Sequence, residues 1–453
     1  MTSDLQALLA AIVADPADDV ARLVYADCLE ENGRAARAAF IRVQIEAARH
    51  HPNSNARANL EAEAHALFAE HWVEWWGEVC AAVGFPAPAP NPGGRLGRFA
   101  ARVGLRRAGG EPYFLPRDGH DARLLLCAST SPQPESLRGF GSVRFRRGFP
   151  DGPELHYGAS DFLPAWVGVS PINSLTLNGA YPEWFHDGPH LAGVRALALG
   201  EYDSTVLPLV LNSPHLGALT DLRLEGWALY PDERTSLQAG ELERVVSAPR
   251  ARQLTRLTVP AVDEPAAEAL AGAANLAGLE ALEVQVLHDE SEDRESAGRR
   301  LAALARSRHL AGLKALTLTG GSDAPGLSAV LRNPTWTGLR KLDIELWYSY
   351  DSLDPLAEAD GLPLLEDVAL GGIRLTAAEA DALVRSPLLK RLRHFSLRCG
   401  PEDRSVLARL AGAVDVARIE TFALTLPPLF PPGPDGTAAL RKHFGGKLRV
   451  VTR

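Results

Sequence analysis

The chain has 453 residues and a formal net charge of −9 at pH 7, with 46% apolar and 23% charged residues. This is the composition of an ordinary soluble protein, so disorder of the whole chain is excluded. The acidic balance argues against a nucleic-acid-binding protein, because such proteins usually show a basic stripe and a high pI.

The N-terminus and the cysteines predict a cytoplasmic protein with no membrane association. The first residues, MTSDLQALLAAIVADPADD, lack a basic segment, and Asp4 and Asp15 flank the apolar run, so a signal peptide is not expected. No apolar stretch approaches the roughly 20 residues that a membrane helix needs. The excess of arginine over lysine indicates a GC-rich bacterial genome. The cysteines have no C-x-x-C spacing, which favours reduced thiols; they are Cys28, Cys80, Cys127 and Cys399.

Residues 1–83 are predicted to form a small all-helical module. The segment DPADD, residues 15–19, supplies an N-cap for a helix over residues 20–30, and Asn32-Gly33 ends that helix. A further helix starts at Ala36. The first helix is marked by an apolar stripe at helical spacing, formed by Leu5, Leu8, Leu9 and Ile12.

The most specific segments of this module are LLAAIVADPADDVARLVYADCLEENG, residues 8–33, and RAAFIRVQ, residues 37–44. They resemble the repeat-companion domain found at the start of many planctomycete proteins. Cys28 stands where that family usually has Trp, and Ala39 where it usually has Glu, so this is a diverged copy. The resemblance implies no catalytic activity. Two further features also look like this family: the sequence RRGF at residues 146–149, and a helix with His71, Trp72, Trp75 and Trp76.

Residues 84–136 change composition and become rich in Pro, Gly and Arg, with PAPAPNPGGRLGR at their centre. This composition predicts a linker or an irregular insertion. A folded insertion around residues 112–128 is the alternative.

From residue 137 to residue 453 one pattern recurs: apolar, two variable, apolar, one variable, apolar. A plausible first copy is Phe140, Val143, Phe145. The later copies settle at a spacing of 26 or 27 residues, which lies within the period of a leucine-rich repeat. Degenerate repeats of this kind often follow the repeat-companion domain. The middle apolar residues are Val143, Leu175, Leu197, Leu222, Leu257, Leu282, Leu316, Leu342, Val368, Phe395 and Phe422.

Each copy predicts one coil, made of a short half-buried strand, a helix and a return. The last two apolar positions alternate as a strand requires, and helical patterns follow the strands. Several helices stop at Ser213-Pro214, Asn333-Pro334 or Ser386-Pro387. Because no coil buries its apolar face alone, about ten coils must stack into a curved parallel sheet lined by outer helices, closed by a half-repeat at residues 440–450. An ordinary α/β sheet is the alternative, but it would need Gly-rich phosphate turns or charged residues clustered at strand ends, and neither is found.

No motif in the chain predicts a catalytic centre, a metal site or a bound cofactor. His186, Asp187 and His190 lie close together, but HDGPH is typical of a turn and offers no adjacent further ligand. The acidic run at residues 288–296 lacks the glycine and spacing of a calcium loop. The pairs Gly320-Gly321 and Gly371-Gly372 follow strands, but they lack the remainder of a phosphate loop.

A partner site is predicted on the concave face, from side chains that alternate with the buried ones on each strand. The sequence indicates an acidic concentration at Asp343, Glu345 and Asp367, followed by the aromatic WYSY at residues 347–350. Aromatic residues beside charges are typical of interface anchors. A solvated sheet face and aromatic packing under the next helix are the alternatives. The candidate residues are Arg223, Glu225, Glu283, Lys341, Asp343, Glu345, Trp347, Tyr348, Asp367, His394 and Arg398.

These observations favour a non-catalytic intracellular scaffold that binds a protein partner, such as a basic peptide, through its concave face. Two alternatives stay open. One is an enzyme with its activity in residues 1–150 and the repeats as substrate selector. The other is a self-associating structural protein. The sequence does not define an oligomeric state.

Overall fold

The computed structural model divides the chain into two compact units, residues 1–52 with 56–219 and residues 53–55 with 220–453. The structure describes residues 3–83, 113–114, 122–125, 140–156, 166, 170–178, 188–200, 206–225, 239–260, 262–286, 294–320, 324–346, 353–357, 359–401, 407, 409–410, 417–426 and 437–452.

The first unit begins with the predicted helical module. The helices are α1 Ser3–Ala14, α2 Asp19–Glu31, α3 Ala35–Arg49 and α4 Asn55–Val83. Asp18 caps α2, because its Oδ1 accepts a hydrogen bond of 2.8 Å from the backbone N–H of Val20. Gly33 follows α2 with a φ of +78°, the left-handed conformation that ends many helices. The predicted start and stop signals of α2 are therefore confirmed.

Among its described residues, the first unit continues with six strands and one further α-helix. They are β1 Tyr113–Phe114, β2 Ala122–Leu125, β3 Phe140–Arg146, β4 Phe149–His156, β5 Ser174–Asn178, β6 Ala196–Gly200 and α5 Val206–Asn212. Strands β1 to β4 pair antiparallel, and β4, β5 and β6 pair parallel. The predicted first copy lies on β3, which has antiparallel neighbours on both sides, so β3 is not a strand of the parallel repeat. The domain boundaries at residues 83/84 and 136/137 stay predictions.

The second unit is a ladder of nine described strands, which we call the strand ladder. The strands are β7 Asp221–Glu225, β8 Arg256–Val259, β9 Ala281–Val286, β10 Ala315–Gly320, β11 Lys341–Leu346, β12 Asp367–Leu375, β13 His394–Pro401, β14 Thr421–Leu426 and β15 Leu448–Thr452. The helices are α6 Ala239–Ser247, α7 Glu264–Gly272, α8 Arg294–Ala305, α9 Ala324–Leu331, α10 Asp354–Ala357, α11 Ala377–Arg385 and α12 Ala438–Phe444. Each strand pairs parallel with the next, and helices α6 to α11 pack against one another in chain order.

The predicted middle apolar residues face each other in register along the whole ladder. Leu222 is opposite Leu257, and the same row runs through the following strands to Phe422, which is opposite Leu448. These side chains are buried, since each coil covers the apolar face of its neighbour. Phe422 pairs with Leu448 on a last parallel strand within the predicted half-repeat, and its role as a cap stays a prediction. The predicted leucine-rich-repeat solenoid behind a helical module is confirmed.

Polar residues at helix ends join neighbouring coils; Asn333 lies at a predicted stop, whereas Ser307, just after α8, was not singled out in the sequence. Asn333 is buried, and its Nδ2 donates a hydrogen bond of 2.7 Å to the carbonyl of Ala305 in the preceding coil. Ser307 does the same towards Ala271, at 2.5 Å. Their side-chain oxygens also accept from the backbone N–H two residues further on. A buried carbonyl that lacks a partner is costly, so these positions need a short polar side chain.

Candidate partner-binding face

The strand ladder has a second face, formed by the side chains that alternate with the buried apolar ones. We call it the open face. On β10 the alternation is plain, because Leu316 and Leu318 are buried whereas Thr317 and Thr319 are partly exposed. On each strand the open-face positions lie one before, one after and three after the middle apolar residue. The predicted partner-site residues of β7, β9, β11, β12 and β13 occupy these positions.

The structure brings Asp343, Glu345 and Arg398 together into one ion cluster. Arg398 Nη2 donates a hydrogen bond of 2.9 Å to Asp343 Oδ1, and the same nitrogen pairs with Glu345 Oε2. The three side chains are between 22% and 35% exposed. One guanidinium therefore serves two carboxylates, and the cluster keeps a net negative charge.

Small residues on β12 allow this cluster to form. Arg398 lies on β13 and its carboxylate partners lie on β11, so the guanidinium must cross the strand between them. At the crossing point β12 carries Ala369 and Gly371, which lie opposite Asp343 and Glu345. A Cβ on residue 371 would lie 2.0 Å from Glu345 Oε2 and 2.7 Å from Arg398 Nε. The absence of a side chain at position 371 is therefore a geometric requirement of the cluster.

A second row of predicted residues lies beside the ion cluster. Lys341, Asp367 and His394 occupy paired positions on β11, β12 and β13. Lys341 is exposed and Asp367 is half-buried. His394 Nδ1 lies 3.0 Å from the hydroxyl of Thr421, and Nε2 lies 3.7 Å from Glu420. Six of the predicted residues therefore form one continuous charged area on β11 to β13.

The remaining predicted residues lie elsewhere or outside the described structure. Arg223 lies on β7 and is 3.7 Å from Asp221, which also lies 3.5 Å from Arg256. Glu283 lies on β9, where its carboxylate accepts from Thr258 at 3.3 Å. These side chains are separated from the ion cluster by intervening strands. The last three predicted residues have no described position, because the side chain of Glu225 and all of Trp347 and Tyr348 lie outside the described residues.

The sequence interpretation missed a row of charges at the edge where the strands begin. The residues directly after the first apolar position form ion pairs from coil to coil: Lys314 with Glu280 at 2.6 Å, and Arg393 with Glu420 at 2.5 Å. The signal was the recurrence of a charged side chain, of one sign or the other, at the same repeat position. The row consists of Glu280, Lys314, Arg340, Glu366, Arg393 and Glu420.

The described residues contain no group of three or more His, Cys, Asp or Glu side chains that could hold a metal ion. Of the three residues weighed as a metal site, His186 and Asp187 lie outside the described residues. Burial lowers the pKa of His190, and the nearby His215 lowers it further. No helix in the described ranges has the length and apolar character needed to cross a bilayer.

The geometry defines a leucine-rich-repeat solenoid with a charged open face. No family model matches the chain, and no curated protein matches it. Among solved structures it is similar to the leucine-rich-repeat ectodomain of the plant membrane receptor kinase GASSHO1/SCHENGEN3 from Arabidopsis thaliana, in complex with CASPARIAN STRIP INTEGRITY FACTOR 2. The identity is 11% and the TM-score 0.21, over 67% of this chain and 40% of that chain. The fold assignment therefore rests on the strand ladder itself.

We expect the ion cluster to contribute a small, salt-dependent stabilisation. In a double-mutant cycle with Asp343→Asn and Arg398→Gln, the coupling free energy should be about 1 kcal/mol, because both groups are partly exposed to screening water. In 1 M salt the coupling should fall to less than half. Urea unfolding of the four proteins at low and high salt measures both values. A coupling near zero at low salt would show that the pair does not persist in solution.

Proposed function

We propose that this chain is a non-catalytic binding protein that recognises a protein partner through the open face of its strand ladder. The observation that carries the proposal is the charged area on β11 to β13, where three strands present six charged or titratable side chains in register. A rigid parallel sheet holds such a pattern at fixed spacing. Fixed, complementary charge favours one partner over others and speeds its association.

The charge balance of this area favours a basic segment of the partner. Asp343 and Glu345 share one arginine, and Asp367 adds a third carboxylate opposite Lys341, so three carboxylates face two cations and the area keeps one net negative charge, not counting His394. A guanidinium or ammonium group of the partner would therefore gain charge-assisted hydrogen bonds at the exposed side of the cluster. In the proposal Trp347 and Tyr348, which follow β11 in the chain, supply the aromatic anchors for the partner.

The proposal places the protein in the bacterial cytoplasm. Cys28, Cys80 and Cys399 are free thiols, as a reducing compartment would maintain them. The helical module is proposed to be a repeat-companion domain, on the residues quoted for that resemblance.

Site-specific photo-crosslinking in the native cell tests the binding face. A photo-reactive residue at Thr317, which lies opposite Asp343 on the open face, should crosslink a discrete partner. The matched control carries the same residue at Glu268, an exposed position on α7. Adding Asp343→Asn and Glu345→Gln should reduce the crosslink at Thr317 about tenfold, which corresponds to roughly 1.4 kcal/mol of binding free energy.

Each other outcome counts against the proposal. Equal crosslinking from Thr317 and Glu268 would show that the open face is not selective. Crosslinks from Thr317 to a second copy of this chain would favour the self-associating structural protein. A crosslink that is unaffected by Asp343→Asn and Glu345→Gln would show that the partner does not bind these carboxylates through a basic segment.

A further inference from the structure

Strands β3 and β4 form a tight hairpin whose turn is Arg147-Gly148, within the sequence RRGF. Arg146 pairs with Phe149 across a two-residue loop. Both turn residues have positive φ, +49° at Arg147 and +86° at Gly148, as the type I′ hairpin turn requires. Phe145 and Phe149 therefore flank the turn, one on each strand. Both side chains are buried, although they lie at the end of a hairpin.

Helices α3 and α4 enclose the first of these aromatic side chains. The ring of Phe145 lies 4.7 Å from that of Phe68 and 6.4 Å from that of Phe40. The guanidinium of Arg37 lies 5.4 Å from the Phe145 ring and 4.7 Å from the Trp75 ring. Arg37 is buried, and burial lowers its pKa to about 10. Aromatic faces are the surroundings in which a buried guanidinium gains most from cation–π attraction.

Helix α2 encloses the second aromatic side chain. The ring of Phe149 lies 5.4 Å from that of Tyr25 and belongs to the same buried cluster as Tyr25, Ala26 and Leu29. The guanidinium of Arg22 lies 5.7 Å from the Phe149 ring. Each aromatic side chain of the hairpin is therefore paired with one buried arginine of the helical module.

The backbone of the turn is bound as well. Gln44 Oε1 accepts a hydrogen bond of 2.6 Å from the Gly148 N–H, and its Nε2 donates one of 3.0 Å to the Phe145 carbonyl. One amide side chain thus satisfies a donor and an acceptor of the hairpin backbone, as a neighbouring strand would.

The module also fits the shape of the turn. A Cβ on residue 148 would lie 2.1 Å from Ile41 Cγ1, so α3 accepts glycine alone at this position. Beside it, Arg147 forms an ion pair of 3.1 Å with Asp19 at the start of α2. The helical module therefore recognises the charge of Arg147 and the absence of a side chain at Gly148.

We propose that the face formed by α2, α3 and α4 is a binding surface for a β-hairpin with two aromatic side chains flanking an Arg-Gly turn, and that the chain's own hairpin fills it as an intramolecular ligand. Most of the residues that make the contacts fall in residues 22–27, 37–44 and 146–149, within three of the segments that carry the resemblance to the repeat-companion domain, whereas Asp19, Phe68, Trp75 and Phe145 lie outside these ranges. On this proposal those segments constitute a recognition motif and its ligand. The proposal is independent of the open face.

If helices α2 to α4 bind the hairpin as a ligand, the hairpin should stay bound to them after the chain between α4 and β3 is cut. The test uses the full chain with the recognition sequence of a specific protease inserted after Gly94. After cleavage, the fragments 1–94 and 95–453 should co-elute in gel filtration under native conditions and separate in urea. Gln44→Ala removes both backbone hydrogen bonds without adding an atom, and should increase the dissociation constant of the cut fragments at least tenfold. The matched control is Gln6→Ala, an exposed glutamine on α1.

Separation of the cut wild-type fragments in native buffer would overturn the proposal. Equal retention by the Gln44→Ala and Gln6→Ala proteins would also overturn it, since the fragments would then be held by other contacts. Circular dichroism of each uncut variant verifies that the substitution leaves the chain folded. A tenfold loss confined to Gln44→Ala is the expected result.

Discussion

Replacement of Gly148 by Ala should lower the free energy of unfolding of the first unit by about 4 kcal/mol. Two effects add. A φ of +86° costs an L-residue roughly 1 kcal/mol or more, and the new methyl group would lie 2.1 Å from Ile41 Cγ1. The collision cannot be relieved cheaply, because the Cα of Ile41 is also only 3.2 Å from the new Cβ. Urea unfolding followed by circular dichroism measures the change.

Gly33→Ala is the matched control for Gly148→Ala. Gly33 has a similar φ of +78°, but no atom of the described residues lies within 4 Å of the place that an alanine methyl group would take there. The control should therefore show only the conformational part, about 1 kcal/mol. Similar losses at both positions would mean that the contact between the turn and α3 is absent in solution.

Asp151→Ala should have the second large effect, also about 4 kcal/mol. The Asp151 carboxylate is buried at the junction of β4 and β5, and its Oδ1 accepts from the N–H groups of Gly152, Asn173 and Ser174 at 2.9 to 3.1 Å. The Ser174 hydroxyl donates to the same atom at 3.3 Å. Alanine would leave these half-buried donors without their acceptor, and each unsatisfied group costs roughly 1–3 kcal/mol.

Asp151→Asn separates hydrogen bonding from charge at this junction. The amide oxygen of asparagine can take the place of Oδ1, so we expect a loss of about 1 kcal/mol in the same urea experiment. If asparagine is as damaging as alanine, the negative charge itself, and not the acceptor geometry, stabilises the junction.

The parallel ladder was predictable because its signal is local and repeated. Each coil carries its own apolar triplet, and burial of that triplet against the next coil needs no distant partner. The row from Leu222 to Phe422 therefore follows from spacing alone. The same logic placed the closing strand at Leu448. The pattern failed at Phe140, Val143 and Phe145, because an apolar alternation does not distinguish a parallel repeat strand from one arm of an antiparallel hairpin.

The candidate residues of the open face were predictable, but their partnerships were not. Strand alternation indicated that Asp343, Glu345 and Arg398 share a face. Their contact depends on Ala369 and Gly371, small residues on the strand between, which a search for charged side chains passes over. Two of the three carboxylates in the predicted acidic concentration, Asp343 and Glu345, consequently form an ion cluster with Arg398, whereas Asp367 lies in the neighbouring row.

The sequence by itself determined the repeat, its register and the caps of α2, because these depend on side chains within one coil or one helical turn. Only the tertiary structure showed which residues of the helical module the RRGF segment contacts. Gln44 and Phe145 are 101 residues apart, and the fit of Gly148 against Ile41 exists only when α3 meets the hairpin. Hydrophobic periodicity reports only on a segment and its neighbours in the chain. The requirement for glycine at residue 148 comes from Ile41, which is distant in the sequence.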